Sequence, residues 1–82
     1  MNASELRVGM RVKSLVEFSG VPAGSQGVVD EDYGTGFMVA WDLPGHPLPA
    51  GYTTYEGVPV IQSGITRDGF DKKTELQYLE AV

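Results

Sequence analysis

The sequence has no cysteine and a single histidine. Neither a disulfide framework nor a thiolate metal site can therefore supplement its core. A structural zinc site needs four nitrogen or sulfur ligands held tetrahedrally, and His46 has no companion at ligand spacing, so no metal and no cofactor is expected. Long apolar runs are also missing. Nothing approaches the roughly 18–20 residues of a membrane-spanning helix, and residues 1–10, MNASELRVGM, lack the charged and apolar regions of a secretory signal. These absences give the expectation of a soluble, cytoplasmic chain with no membrane partner. Basic residues are scarce, with 6 Lys and Arg against 11 Asp and Glu for a net charge of −5. That balance opposes any binding mode that works by neutralising phosphates, so nucleic acid is disfavoured as a partner. Arg7, Arg11 and Lys13 cluster near the start, where they read as the solvated face of a strand.

Helical periodicity is absent too, because eleven glycines and five prolines interrupt the chain every few residues. Hydrophobic residues nonetheless make up 41% of the sequence, enough for a globular fold. A chain of 82 residues reads as one domain, 1–82, and burying only about 60% of its unfolded surface leaves a thin stability margin that oligomerisation would widen. The segment RVKSLVEF, with Val12, Val16 and Phe18 among polar neighbours, predicts a half-buried strand. SGVPAGSQ follows as a turn-rich connection in which Gly20 and Gly24 permit positive φ. GVVDEDY and GFMVAWD flank Gly34-Thr35-Gly36 and predict a hairpin. In its second strand Phe37, Val39 and Trp41 share one side, and Met38, Ala40 and Asp42 the other. The run Asp30-Glu31-Asp32 reads as a solvated acidic turn at the hairpin's end.

From residue 43 to residue 69 the chain changes character, with four of its five prolines and five of its eleven glycines. Structureless loops beyond about 12–15 residues are uncommon in compact domains unless they are functional or mobile. VPVIQSG predicts a short strand inside this stretch, with Pro59 confining it to an edge or to its own first position. The uncharged segment Val58 to Ile65 is then a candidate edge for self-assembly into a homo-oligomer. GFDKKTELQYLEAV offers Asp71 as the cap of one helical or 3-10 turn, followed by a closing strand. The expected fold is all-β, a small barrel of about five strands with one long loop at 43–69 and a single helical turn before the last strand.

VGMRVKS, GSQGVV, GTGFMVAWD and TELQYLE resemble the sequence rhythm of SH3-like barrels, including KOW, Tudor and Mib/Herc2 modules. The resemblance touches roughly two thirds of the chain and skips residues 43–69. A module that binds a protein or peptide partner is expected; the likeness to KOW and Tudor modules, with Arg7, Arg11 and Lys13, implies nucleic-acid binding as the alternative that the charge balance opposes. GMRVKS, a Gln-Gly before a valine strand and a late Leu-Glu are also similar to the type II dihydrofolate reductases. That family's reductase chemistry depends on a Val-Gln-Ile-Tyr stretch, and here the equivalent place reads SGITRDGF, so no catalytic residue carries over and no enzyme activity is expected.

Catalytic signatures are missing: there is no Ser/His/Asp set, no phosphate-binding glycine pattern in a strand-to-helix context, and no orienting partner for His46. The candidate binding residues are aromatic and acidic. Tyr33 and Trp41 would be platform rings, Tyr52 and Tyr55 loop anchors, and Asp42 and Glu56 acceptors for basic groups, a combination suited to cation–π attraction with counter-charge. Period two leaves Trp41 open between core and surface. The long loop is expected to stand free of the barrel and do the recognising.

Overall fold

A computed structural model describes residues 1–49, 52 and 65–82, and the backbone of 54–55 and 58–59. The fold is all-β. Five antiparallel strands form one sheet: β1 (Arg11–Ser14), β2 (Gln26–Asp32), β3 (Gly36–Asp42), β6 (Thr66–Asp71) and β7 (Leu79–Ala81), in the order β6-β3-β2-β1-β7. Between β3 and β6, two short strands, β4 (Thr54–Tyr55) and β5 (Val58–Pro59), pair with each other and not with the main sheet. Pro59 therefore lies where a missing N–H interrupts no central ladder. Val58 to Ile65 is described only at Val58, Pro59 and Ile65, so the self-assembly edge expected there falls mostly outside the described residues.

The β2–β3 hairpin forms as its sequence predicts. Tyr33 N–H donates to the Gly36 carbonyl at 3.0 Å, and Gly34, at φ +93°, supplies the positive angle that a type II′ turn needs at its first central residue. Asp32 Oδ1 accepts the Gly34 N–H at 2.9 Å and fixes the turn from its other side. Phe37, Val39 and Trp41 all face the core, where they meet Val12, Val29 and Leu79. Phe37 stacks on Phe70 at 5.6 Å, while Phe18 meets both Trp41 and Phe70 edge-on at 5.6 Å. Burying each such side chain stabilises the fold by about 1.5–3 kcal/mol. Trp41 lies flat against the sheet only because position 27 has no side chain: a Cβ on Gly27 would sit 2.9 Å from Trp41 Cε3 and 2.6 Å from the Ala40 carbonyl oxygen.

β1 is shorter than the alternation in RVKSLVEF predicts. It ends at Ser14, whose hydroxyl donates to the Val16 carbonyl; just after it, Leu15 N–H makes one last bond in the β7 register, to the Tyr78 carbonyl at 2.8 Å. Val16 is consequently exposed rather than half-buried. Phe18 and Val21 then bridge through a tight turn in which Ser19 and Gly20 both have positive φ. Asp71 caps the turn after β6 by accepting the N–H groups of Lys73 and Thr74 at 2.7 and 3.1 Å. One 3-10 turn (Leu76–Tyr78) leads directly into β7, as expected.

The sheet does not close on itself. β6 and β7 are its two edges, and the seam between them is occupied by Phe18, its neighbours and the 3-10 turn. β3 and β6 pair from Gly36↔Asp71 to Trp41↔Thr66, so the backbone leaves the sheet after residue 42 and returns beside its point of departure. Among the described residues no helix is long and apolar enough to cross a membrane.

Candidate functional site: an aromatic cleft at the open seam

The two faces of the sheet have different chemistry, and a β-bulge sets the difference. Val29 pairs with Val39 and Glu31 with Met38, so Asp30 is an extra residue on β2. Strict alternation would send Asp30 and Glu31 to opposite faces; the bulge lets both reach one side chain. That side chain is Arg67, opposite Ala40 on β6. Its Nε and Nη2 donate to the two Asp30 oxygens at 2.8 and 2.9 Å, and Nη2 also donates to Glu31 at 3.1 Å. Tyr52 closes the network, its hydroxyl donating to Asp30 Oδ2 at 2.7 Å.

This corrects the reading of Asp30 as part of a solvated turn. The carboxylate is 0% exposed and saturated by three donors, an arrangement invisible to a reading that places every second residue on the same face. Burial and the adjoining carboxylate push the Tyr52 phenol up to about 12. The paired Asp30 carboxylate likewise raises the Arg67 guanidinium above its ordinary value. Only Asp32, at the hairpin's tip, keeps the exposed setting expected of the run; its carboxyl is lowered by the Lys72 ammonium at 2.8 Å and by the Gly34 N–H.

The sequence-derived site residues do not converge on one surface. Trp41 is in the core at 0% exposure, with its indole N–H donating to Asp68 Oδ2 at 2.9 Å, so its ring is a core plug and not a platform. Tyr33 is 51% exposed. Its ring lies over backbone: a Cβ on Gly36 would come within 2.8 Å of Tyr33 Cε2, and one on Gly69 within 3.3 Å of the hydroxyl. Asp42 is exposed, but Oδ1 accepts the Leu48 N–H at 2.9 Å and holds the start of the long segment against the sheet. Tyr52 is half-buried and anchored by Asp30, so this part of the segment is tied down rather than free. Tyr55 is described only as the backbone partner of Val58, and Glu56 lies outside the described residues.

Sequence reasoning missed the cleft at the open seam. It has a volume of about 330 Å³. Val16, Glu17 and Phe18 form one wall, Asp68, Gly69 and Phe70 of β6 the other, and Glu75 with Tyr78 closes one end. Phe18, Phe70 and Tyr78 line it together with three carboxylates, and among the described residues no basic side chain does. Two of the carboxylates are already oriented: Asp68 by the Trp41 indole, and Glu75 by the Asp71 N–H, which donates to Oε1 at 2.7 Å. Glu17, Glu75 and Tyr78 are distant in sequence from one another or from Asp68 and Phe70, and they meet only through the fold. A larger cleft of about 420 Å³ on the opposite face is lined by Arg11, Asp42, Pro49 and Tyr52 among others. Its Asp42 is already engaged with Leu48. No family model, no curated protein and no solved structure matches the chain.

Proposed function

We propose that this chain is a non-catalytic binding module of SH3-like architecture that takes a protein or peptide segment in the cleft at the open seam. The five-strand sheet, its bent course and the 3-10 turn immediately before the last strand support the architectural part of the reading. The observation that carries the functional part is the cleft itself: Phe18, Tyr78 and the rim of the largely buried Phe70 line a common space together with Glu17, Asp68 and Glu75. An apolar surface with a few oriented polar groups is what recognition of a side chain requires. The acidic groups of the strands other than Asp68 are otherwise engaged: Asp30 and Glu31 by Arg67, Asp32 by Lys72, Glu80 by Lys13, and Asp42 and Asp71 by backbone N–H groups.

A photo-crosslinking residue in place of Val16, on the rim of the cleft, tests this in extracts of cells expressing the chain. A discrete adduct from position 16 and none from position 11, on the opposite face, is the expected result. Adducts from position 11 alone would move recognition to the other face, and none from either position would remove the binding reading.

A further inference from the structure

The cleft lies along a strand edge, and the hydrogen-bond parity of that edge can be read from the register. Lys72 N–H donates to the Thr35 carbonyl at 3.1 Å, so in the β3–β6 ladder the residues paired opposite 35, 37, 39 and 41 direct their backbone groups toward β3. The intervening β6 residues, Arg67 and Gly69, direct theirs outward. Asp71 does so visibly, since its N–H turns away from β3 to Glu75. Among the described residues no strand pairs with β6 on this side. Gly69 is at once an outward-facing backbone unit and part of the cleft wall, and having no side chain it leaves that edge open to close approach.

Resting on the binding reading above, we infer that the occupant is an extended, lysine- or arginine-bearing peptide that adds as a strand along the outer edge of β6. Its backbone would pair with Arg67 and Gly69. Alternate side chains of an added strand point to opposite faces. One set enters the cleft, where apolar residues meet Phe18 and Phe70 and a basic residue meets Glu17, Asp68 and Glu75. The other set falls beside Tyr33, whose ring has one face on glycine backbone and the other toward solvent, the arrangement that attracts a cation. Charge selects the partner: with no basic residue among the described ones lining the cleft and a net charge of −5, a second copy of this chain is repelled where a basic segment is drawn in.

The test is a titration of the isotope-labelled chain at low salt with a peptide of lysine and valine, about six residues long to match a typical strand and ordered so that each face of the strand carries both. Its glutamate–valine counterpart is run in parallel, as is a lysine–valine peptide N-methylated at alternate backbone nitrogens. The lysine peptide is expected to move the amide resonances of Phe18, Gly69 and Tyr78 and to slow Gly69 amide exchange by about tenfold or more. Glu17→Lys, a change on an exposed side chain, should weaken that binding by about fivefold to tenfold, and N-methylation in the pairing register should abolish it. Equal binding of the glutamate peptide, indifference to N-methylation in either register, or resonance changes confined to the opposite face would each overturn the inference. So would a free chain that is already dimeric by sedimentation with Gly69 protected, which would make a second copy the occupant. Crosslinking from position 16 without lysine-peptide binding would discard the added basic strand and leave the binding module standing.

Discussion

The two faces of this sheet hold their coverings by opposite means. On one, Phe37, Val39 and Trp41 are buried among other hydrocarbon, and stabilisation is spread over many interchangeable contacts. On the other, Val28 and Ala40 are buried beneath a layer organised by Asp30, Arg67 and Tyr52, whose hydrogen bonds depend on one another. No buried side-chain polar atom among the described residues lacks a partner. The difference teaches where the fold is tolerant. A hydrocarbon core loses stability in proportion to what is removed, whereas a buried ionic network fails when one member goes, because the others keep the desolvation cost without the compensation.

The largest effect should come from splitting that network. Arg67→Met strands a fully buried carboxylate and should cost about 3–5 kcal/mol in denaturant unfolding, a large share of what so small a chain has. Asp30→Leu together with Arg67→Met should recover most of the loss, and a double-mutant cycle reads the coupling. A single-variant cost below about 1 kcal/mol would erase the contrast between the faces. On the hydrocarbon side, Gly27→Ala drives a methyl group against the Ala40 carbonyl and Trp41, and should cost about 1–3 kcal/mol with a change in the emission of the sole tryptophan. Gly45→Ala, where a Cβ meets nothing within 4 Å, is the control.

Tyr52→Phe is a gentler cut and should cost about 1 kcal/mol. It also has a pH signature. The folded pKa of Tyr52 lies above the ordinary value of 10.0, so its contribution is complete below pH 10 and declines as the pH rises toward about 12. Unfolding measured across that interval should show the decline in the native chain and lose it in the phenylalanine variant. The smallest effect belongs to the hairpin tip. Asp32 has its pKa lowered by Lys72, so their pairing stabilises above the ordinary carboxyl value of 3.8 and is lost as the pH falls through the lowered one. Lys72→Met should cost less than about 1 kcal/mol, and added salt should shrink the difference further.

How much of this was legible follows from which rules operate locally. The β2–β3 hairpin and the shared side of Phe37, Val39 and Trp41 depend on turn chemistry and period two, both written in neighbouring residues. Asp71 and the turn before β7 were legible for the same reason. Asp30 was not: a single inserted residue changes the face its side chain takes, and Arg67, which makes its burial tolerable, lies far along the chain. β1 ended early because its partner gives way to the 3-10 turn at Leu76–Tyr78 and the Ser14 hydroxyl takes the Val16 carbonyl, a competition that alternation cannot express. The seam cleft was hidden most deeply, since its walls come from three separated segments. The density of proline and glycine pointed to a free recognising segment at 43–69, whereas Asp42 and Asp30 fasten its residues 48 and 52 to the sheet.

The pairing of Trp41 with Thr66 has a practical consequence. Because the polypeptide exits and re-enters the ladder at adjacent rungs, everything between those rungs is spliced into what is otherwise a plain hairpin, and the entropy of joining such ends grows only slowly with the length joined. The two halves of the molecule, cut within that splice and expressed separately, carry complementary strands with a shared hydrocarbon interface. They are a natural pair for fragment complementation, with the reassembled ladder as the reporter.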